Sequence, residues 1–220
     1  MAKAVSEIVF QSVCRDIAAK LADPGLLDAR RAGRHRFSPT LAYGRHNGPA
    51  PSKAKPAAVL IALQPTATGW TIPLTVRPKH LPDHPGQVSF PGGRLEAGEN
   101  WTDAATREYH EELGVPFSGK LIGSLTPTYV YNSNYIVEPI VGVCKTTPGF
   151  EPCQQEVERV LTLPIANLLD TAHHPVRTYQ RGSASWQARE VRVGDDAIWG
   201  ATAILLGELA AVLEHTAVAG

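Results

Sequence analysis

Between Gly93 and Val115 the chain reads GRLEAGENWTDAATREYHEELGV, and its carboxylates Glu108, Glu111 and Glu112 stand at i, i+3 and i+4. On a helix this spacing sets all three along one stripe about two turns long. Like charges held that close repel, so the stripe adds nothing to the helix unless a cation bridges it. Oxygen ligands unaccompanied by Cys or His favour a hard ion, Mg²⁺ or Mn²⁺, over zinc. Such an ion would stabilise negative charge building in a transition state and lower the pKa of bound water. A solvated helix face is the plain alternative for any run of glutamates, but the preceding Gly92-Gly93 turn and the spacing favour the metal. His110 sits among the three in sequence, yet it projects about 100° from its neighbours and reads as a surface or packing residue.

The segment resembles the signature of the Nudix hydrolases: Gly, five residues, Glu, seven residues, Arg-Glu, an apolar residue, any residue, Glu-Glu, any residue, Gly and an apolar residue. Gly93, Glu99, Arg107, Glu108, Tyr109, Glu111, Glu112, Gly114 and Val115 occupy those positions. Average residue frequencies give such a match a chance on the order of 10⁻⁹ at any one start. Tyr109 is the soft departure, standing where the family usually carries an aliphatic residue. The resemblance implies an α/β fold, an α/β/α sandwich with a mixed sheet, in which the signature forms loop, helix, loop. It also implies attack of water on a diphosphate joined to another moiety. By the same likeness Glu108, Glu111 and Glu112 are metal ligands, with the main-chain carbonyl near Gly93 as a further one. Arg107 and Glu99 would orient the loop and helix through an ion pair. The general base is left open between Glu112 and a carboxylate beyond the box. Glu156 and Glu158 qualify, Glu156 ahead because EVERVLTLPIANLLD resembles the corresponding stretch of one subgroup.

That subgroup is the coenzyme A pyrophosphatases, whose upstream motif is resembled by LTVRPKHLPDHPGQVSFPGG at Leu74, Thr75, Arg77, Gly86, Phe90, Pro91, Gly92 and Gly93. Pro78 replaces a small residue, and Pro82 replaces a second Arg, which removes a planar cationic donor that Lys79 or His80 does not match. AAVLIAL from Ala57 and AIWGATAILL from Ala197 are similar too, so the likeness runs from about Pro56 to Leu213. It implies cleavage of coenzyme A or an acyl-CoA to 3′,5′-ADP and (acyl-)4′-phosphopantetheine, with Arg77 and Phe90 at the substrate. Pro82 favours the rival substrates: ADP-ribose, other nucleoside diphosphate derivatives or dinucleoside polyphosphates. A non-catalytic nucleotide-binding module of this kind usually loses a signature glutamate, and none is missing.

The elements that must position these groups follow from periodicity. Ile8, Val9, Val13, Ile17 and Leu21 recur at helical spacing and predict a helix from Val5 to Ala22. The Arg-, Gly- and Pro-rich stretch that follows has no sustained period and reads as an extended arm, so residues 1–55 form an appendage on a domain of 56–220. Arg30, Arg31, Arg34, Arg36 and Arg45, with His35 and His46, would there be a solvated cluster or a receiver of phosphate; only Phe37 and Tyr43 interleave them. Ala57–Leu63 and Thr71–Arg77 predict core strands, Leu121–Val130 and Tyr135–Lys145 a hairpin about Asn132-Ser133-Asn134, and Glu156–Ile165 and Trp186–Val193 later strands. Asn100 with Asp103 predicts a cap that starts the carboxylate helix near Trp101, and Gly114 predicts its end. Ala197–His215 predicts a long apolar helix suited to the core or to a homodimer surface, with Trp199 packing at its start or stacking on a base.

Lys plus Arg and Asp plus Glu both total 21, so no net field draws the chain to nucleic acid or an anionic membrane. A phosphate-bearing ligand must be held by local groups and metal. Cys14, Cys144 and Cys153 are too scattered for a disulfide framework or a zinc motif, which predicts reduced thiols in the cytoplasm. No apolar run approaches the roughly 20 residues that span a bilayer.

Overall fold

Alternation along one long strand sets the architecture. Strand β1 (Lys55–Thr66) turns Ala58, Leu60 and Ala62 to one face of the sheet and Ile61 and Leu63 to the other, and all five are buried. In the computed structural model, which describes residues 4–40, 49–82 and 85–219, β1 lies at the centre of an eight-stranded mixed sheet. It runs antiparallel to β2 (Gly69–Val76) and parallel to β7 (Tyr135–Val143), in register from Lys55↔Tyr135 to Leu63↔Val143. β2 also pairs β3 (Val88–Ser89) and β8 (Arg159–Pro164), while β7 also pairs β5 (Lys120–Ser124) and β6 (Thr128–Val130). The short β4 (Gly92–Arg94) pairs the first half of β1.

Helix α3 (Trp101–Leu113) packs Ala104, Ala105, Tyr109 and Leu113 against the Ala58, Leu60, Ala62 face. The opposite face is covered by α1 (Glu7–Ala22), through Val13, Cys14 and Ile17, by the short α4 (Ile165–Leu169), through Ile165 and Leu168, and by α5 (Ala201–Leu213). The α/β/α sandwich implied by the signature is therefore present. Tyr109, the unusual residue in it, is 1 % exposed and its hydroxyl accepts from Gln64 Nε2 at 2.8 Å, which satisfies an otherwise buried amide. Among the described residues no helix is long and apolar enough to cross a membrane.

The arm differs from its sequence-based expectation. Residues Leu27–Phe37 form a helix, α2, that lies along α5. Its packed stripe does recur at i, i+3, i+4 and i+7, but Arg30, half-buried Gly33, Arg34 and Phe37 fill it, so the inward face carries a single large apolar residue. A Cβ on Gly33 would come within 2.1 Å of the Gly207 carbonyl oxygen, so the two helices touch backbone to backbone. Arg30 and Arg34 both reach buried Glu208, which removes them from any solvated or phosphate-receiving cluster. Arg31 and His35 are exposed, and Arg36 places its guanidinium 5.8 Å from the Phe37 ring centre. Tyr43, Arg45 and His46 lie outside the described residues.

Smaller differences have local causes. The strand expected over Leu121–Val130 is broken between β5 and β6, next to a register shift at Leu121/Gly123. The strand expected from Glu156 begins at Arg159, because Glu156 belongs to a turn whose N–H donates to Cys153. The late strand divides between two hairpins, β9 (Val176–Arg181) with β10 (Ala184–Arg189) and β11 (Val191–Val193) with β12 (Asp196–Ile198). The C-terminal helix starts at Ala201 rather than Ala197, after Gly200 at φ 69°, and its interior is buried from Ala203 to Leu209, which places it in the core. Trp199 stacks on Tyr179 at 4.5 Å, with Trp186 beyond it.

One buried group predicts a pH response. His174 is 3 % exposed and packs edge-on to Phe37. Burial, with Arg36 and Arg189 nearby, pushes its pKa from 6.5 down to about 4. The unfolded chain therefore takes up a proton near pH 6.5 that the fold refuses until about pH 4, and stability present above that window is lost through it. The loss reaches up to about 3 kcal/mol. Thermal melts of wild type and His174→Gln between pH 7 and 4 should show a shallower acid decline in the variant, and equal declines would assign the effect to other groups.

Candidate active site

The carboxylate stripe is positioned by local chemistry at both ends. Asn100 caps α3, accepting from the Asp103 N–H at 2.9 Å and donating to its carboxylate at 2.7 Å. Gly114 closes the helix in the left-handed conformation at φ 71°. Just before the helix, β4 presses its glycines against neighbours. A Cβ on Gly92 would meet the Ala58 carbonyl oxygen at 2.4 Å, and one on Gly93 would meet Glu108 Oε1 at 2.2 Å. The Glu108 carboxylate thus lies directly against the Gly93 main chain, a contact only glycine permits.

Arg107 ties the loop to the helix. Its Nε and Nη2 donate to the two oxygens of Glu99 at 2.9 and 3.0 Å, and Nη2 also donates to the Arg94 carbonyl at 3.0 Å. This fork holds the Glu99 carboxyl below its ordinary range. The remaining nitrogen, Nη1, donates to Glu108 Oε1 and Glu111 Oε2, both at 3.0 Å. The ion pair expected between Arg107 and Glu99 is present, and it extends to two of the three stripe carboxylates.

Glu112 has no such partner. Its Oε2 is enclosed and accepts no hydrogen bond within the protein. Burial, followed by the negative charges of Glu108 and Glu156, pushes its pKa up to about 8, against hydrogen bonds from Thr75 and the Gly92 backbone. Glu108 is raised as well, by burial first, with Glu111 and Glu156 adding to it and Arg107 opposing. Glu156 is exposed in its turn, yet its charge reaches both glutamates, so the fold brings it to the site from 44 positions beyond Glu112 in sequence.

These groups fit a hard divalent cation: an orphaned buried carboxylate oxygen, mutually repelling glutamates and a backbone cradle with no side chain. Among the described residues no three Asp, Glu, His or Cys side chains are gathered closely enough to hold a metal ion. Arg107 supplies the counter-charge to Glu108 and Glu111 instead.

A cavity of about 620 Å³ opens beside Glu112 and is lined by Arg77, Phe90, Gly93 and Arg94 among others. Arg77 is half-buried there, whereas Phe90 is 2 % exposed and belongs mainly to the core. Glu108, Glu111 and Glu156 stand outside its wall, and Pro82 is exposed. Sequence reasoning missed Arg94, Asn132, Tyr135 and the first turn of α5, all of which line the cavity. Arg94 directly follows the Gly-Gly pair, the one signal that marks it in sequence; Asn132 reads as a turn residue, and α5 as core or a dimer surface.

Comparison with known proteins bears on the family and the fold. The NUDIX domain model matches residues 54–180. A Shigella flexneri protein named Uncharacterized Nudix hydrolase NudL is 32% identical over 167 residues, spanning 73% of this chain and 83% of that protein. The protein of that name from Escherichia coli (strain K12 / DH10B) is 33% identical over 144 residues, covering 62% of this chain and 72% of its own. The solved MutT/nudix family protein from Enterococcus faecalis superposes with a TM-score of 0.51 at 16% identity, covering 90% of this chain and 78% of that one, a likeness of fold.

Proposed function

Because the chain belongs to the Nudix hydrolases, enzymes that cleave pyrophosphate bonds, we propose that its substrate is coenzyme A or an acyl-CoA, cut at the diphosphate to give 3′,5′-ADP and (acyl-)4′-phosphopantetheine. The observation that carries this reading is the convergence of the upstream motif on one cavity. Arg77, Phe90, Gly92 and Gly93 line it, beside Glu112.

Glu108, Glu111 and Glu112, with the Gly93 carbonyl, would hold Mg²⁺ or Mn²⁺. When bound, the ion would neutralise diphosphate charge and acidify water. Arg77 and Arg94 face the same cavity and suit the diphosphate oxygens, as guanidinium forks do. The oxygen of water attacks phosphorus, the P–O–P bond breaks towards the leaving phosphate, and the proton goes to Glu112 Oε2, the enclosed atom without a partner. Glu156 is the second candidate acceptor, and Arg107 holds Glu99, Glu108 and Glu111 in place. The three free thiols suit a cytoplasmic setting.

Hydrolysis of coenzyme A, ADP-ribose, NADH and diadenosine polyphosphates with Mg²⁺ or Mn²⁺ tests the substrate. Turnover of coenzyme A in preference to the others is expected. Pro82, exposed where the subgroup carries Arg, favours the rival nucleoside diphosphate substrates, and inert coenzyme A beside turnover of another compound would establish them. The metal cradle has its own test. Gly93→Ala should displace Glu108 and lower metal affinity or turnover about 10- to 100-fold, measured as the Mn²⁺ dependence of rate; an unchanged dependence would remove Glu108 from the ligand set.

A further inference from the structure

The reaction cavity does not end at the diphosphate site. A second cavity of about 100 Å³ shares Gln87, Val130, Asn132, Ala201 and Thr202 with it, so the two form one continuous groove. The walls differ in chemistry along its length. Arg77, Arg94 and Glu112 bring charge to the large cavity, whereas no charged side chain lines the second among the described residues. Pro39, Tyr131 and Trp199 line that end instead. A nucleoside diphosphate has the same polarity: anionic at one end, and neutral, flat and aromatic at the other.

Trp199 is built as a platform more than as core. It is half-buried and belongs to neither hydrophobic core cluster. Tyr179 stacks on it at 4.5 Å with an interplanar angle of 29°, and Trp186 stacks on Tyr179 at 5.8 Å and 12°. The Tyr179 hydroxyl donates to Glu190 at 2.6 Å, and Glu190 lies 3.3 Å from Arg192 Nε. An indole braced this way loses little freedom when a second flat ring covers it. The amides of Gln87 and Asn132, at the junction of the two cavities, offer both donors and acceptors to a heterocycle's edge.

We propose that Trp199 is a specificity-determining residue on which the heterocyclic base of a nucleotide stacks, with the nucleotide's diphosphate at the Arg77, Arg94 and Glu112 end of the groove. The inference rests on the reading of the large cavity as a diphosphate site, but binding tests it apart from hydrolysis. Calorimetric titration of the full chain in Mg²⁺ with ADP and with inorganic pyrophosphate separates the two ends. Trp199→Ala should weaken ADP on the order of tenfold or more, as loss of a base-stacking ring does, while pyrophosphate binds within about twofold of wild type. Trp199→Phe should keep most of the ADP affinity and Trp199→Leu should lose it, a contrast that decides the matter if the Ala variant does not fold. ADP binding no tighter than pyrophosphate, equal loss of both ligands, or indifference of ADP to Phe and Leu would each overturn the proposal. Hydrolysis of no pyrophosphate compound, with ADP still dependent on Trp199, would instead sink the enzymatic reading alone.

Discussion

Glu112→Gln should lower turnover about 10²- to 10⁴-fold, the usual contribution of a positioned acid or base, and should also make the metal-free protein more heat-resistant at alkaline pH. The second effect follows from where the carboxyl sits. Its pKa is raised from 4.5 to about 8 by burial and by the charges of Glu108 and Glu156. Below pH 4.5 folded and unfolded chains both hold the proton and nothing is lost. Between 4.5 and about 8 the unfolded chain releases it while the fold keeps it, so stability falls as pH rises. Above about 8 the penalty is constant. It amounts to up to about 5 kcal/mol, and a neutral amide of the same shape removes it. Melts in chelator from pH 4 to 9 should therefore slope downward for wild type and run flatter for the variant. Mg²⁺ or Mn²⁺ should stabilise wild type at pH 8 more than Glu112→Gln, since binding to the folded state alone adds stability. Full activity in the variant would move the proton acceptor to Glu156.

Glu208→Ala should destabilise the fold by about 3–5 kcal/mol, the cost of leaving buried charge unpaired. Glu208 is 0 % exposed, and Arg30 and Arg34 are 7 % and 3 % exposed. One carboxylate oxygen accepts from Arg30 Nε at 2.9 Å and from the Thr126 N–H and hydroxyl at 3.0 and 2.7 Å; the other accepts from Arg34 at 2.7 Å. Without it, two guanidinium groups remain inside beside the Leu21 and Thr126 carbonyls and the Thr128 hydroxyl, with their counter-charge gone. Replacing all three by apolar residues, Arg30→Met, Arg34→Met and Glu208→Leu, should restore most of the stability, because burial of the ions is itself costly. Arg34 also donates to the Thr128 hydroxyl at 2.9 Å, and Thr128 lines the reaction cavity. Folded Glu208 variants should therefore also show a raised KM. Urea unfolding of the single and triple variants checks the energetics, and a Glu208→Ala loss below about 1 kcal/mol would mark the cluster as solvated.

The carboxylate helix could be read from residues alone because its determinants are local. The Asn100 cap, the Gly114 stop and the stripe of Glu108, Glu111 and Glu112 all act within a few positions, and helical geometry converts that spacing directly into a shared face. The central strand was similarly readable, since alternation along Ala58 to Leu63 dictates which residues meet which helix layer. Helix α2 was not, because its buried stripe uses Arg30 and Arg34, whose partner Glu208 lies 178 and 174 residues away. No periodicity of hydropathy can mark a face whose burial depends on a distant counter-charge.

The same division holds at the site. Residue types and spacing alone specify a carboxylate ridge suited to a hard cation after a glycine turn. Only the folded chain decides that Arg107 binds two of the ridge's carboxylates, that one oxygen of Glu112 is left enclosed and unpartnered, and that Glu156 adds its charge to half-buried Glu108 and Glu112. It alone assembles the groove from Gln87, Asn132, Trp199 and Thr202. Those contacts join segments far apart along the backbone, and their geometry is set by strand order and helix packing, which spacing within any one segment does not encode.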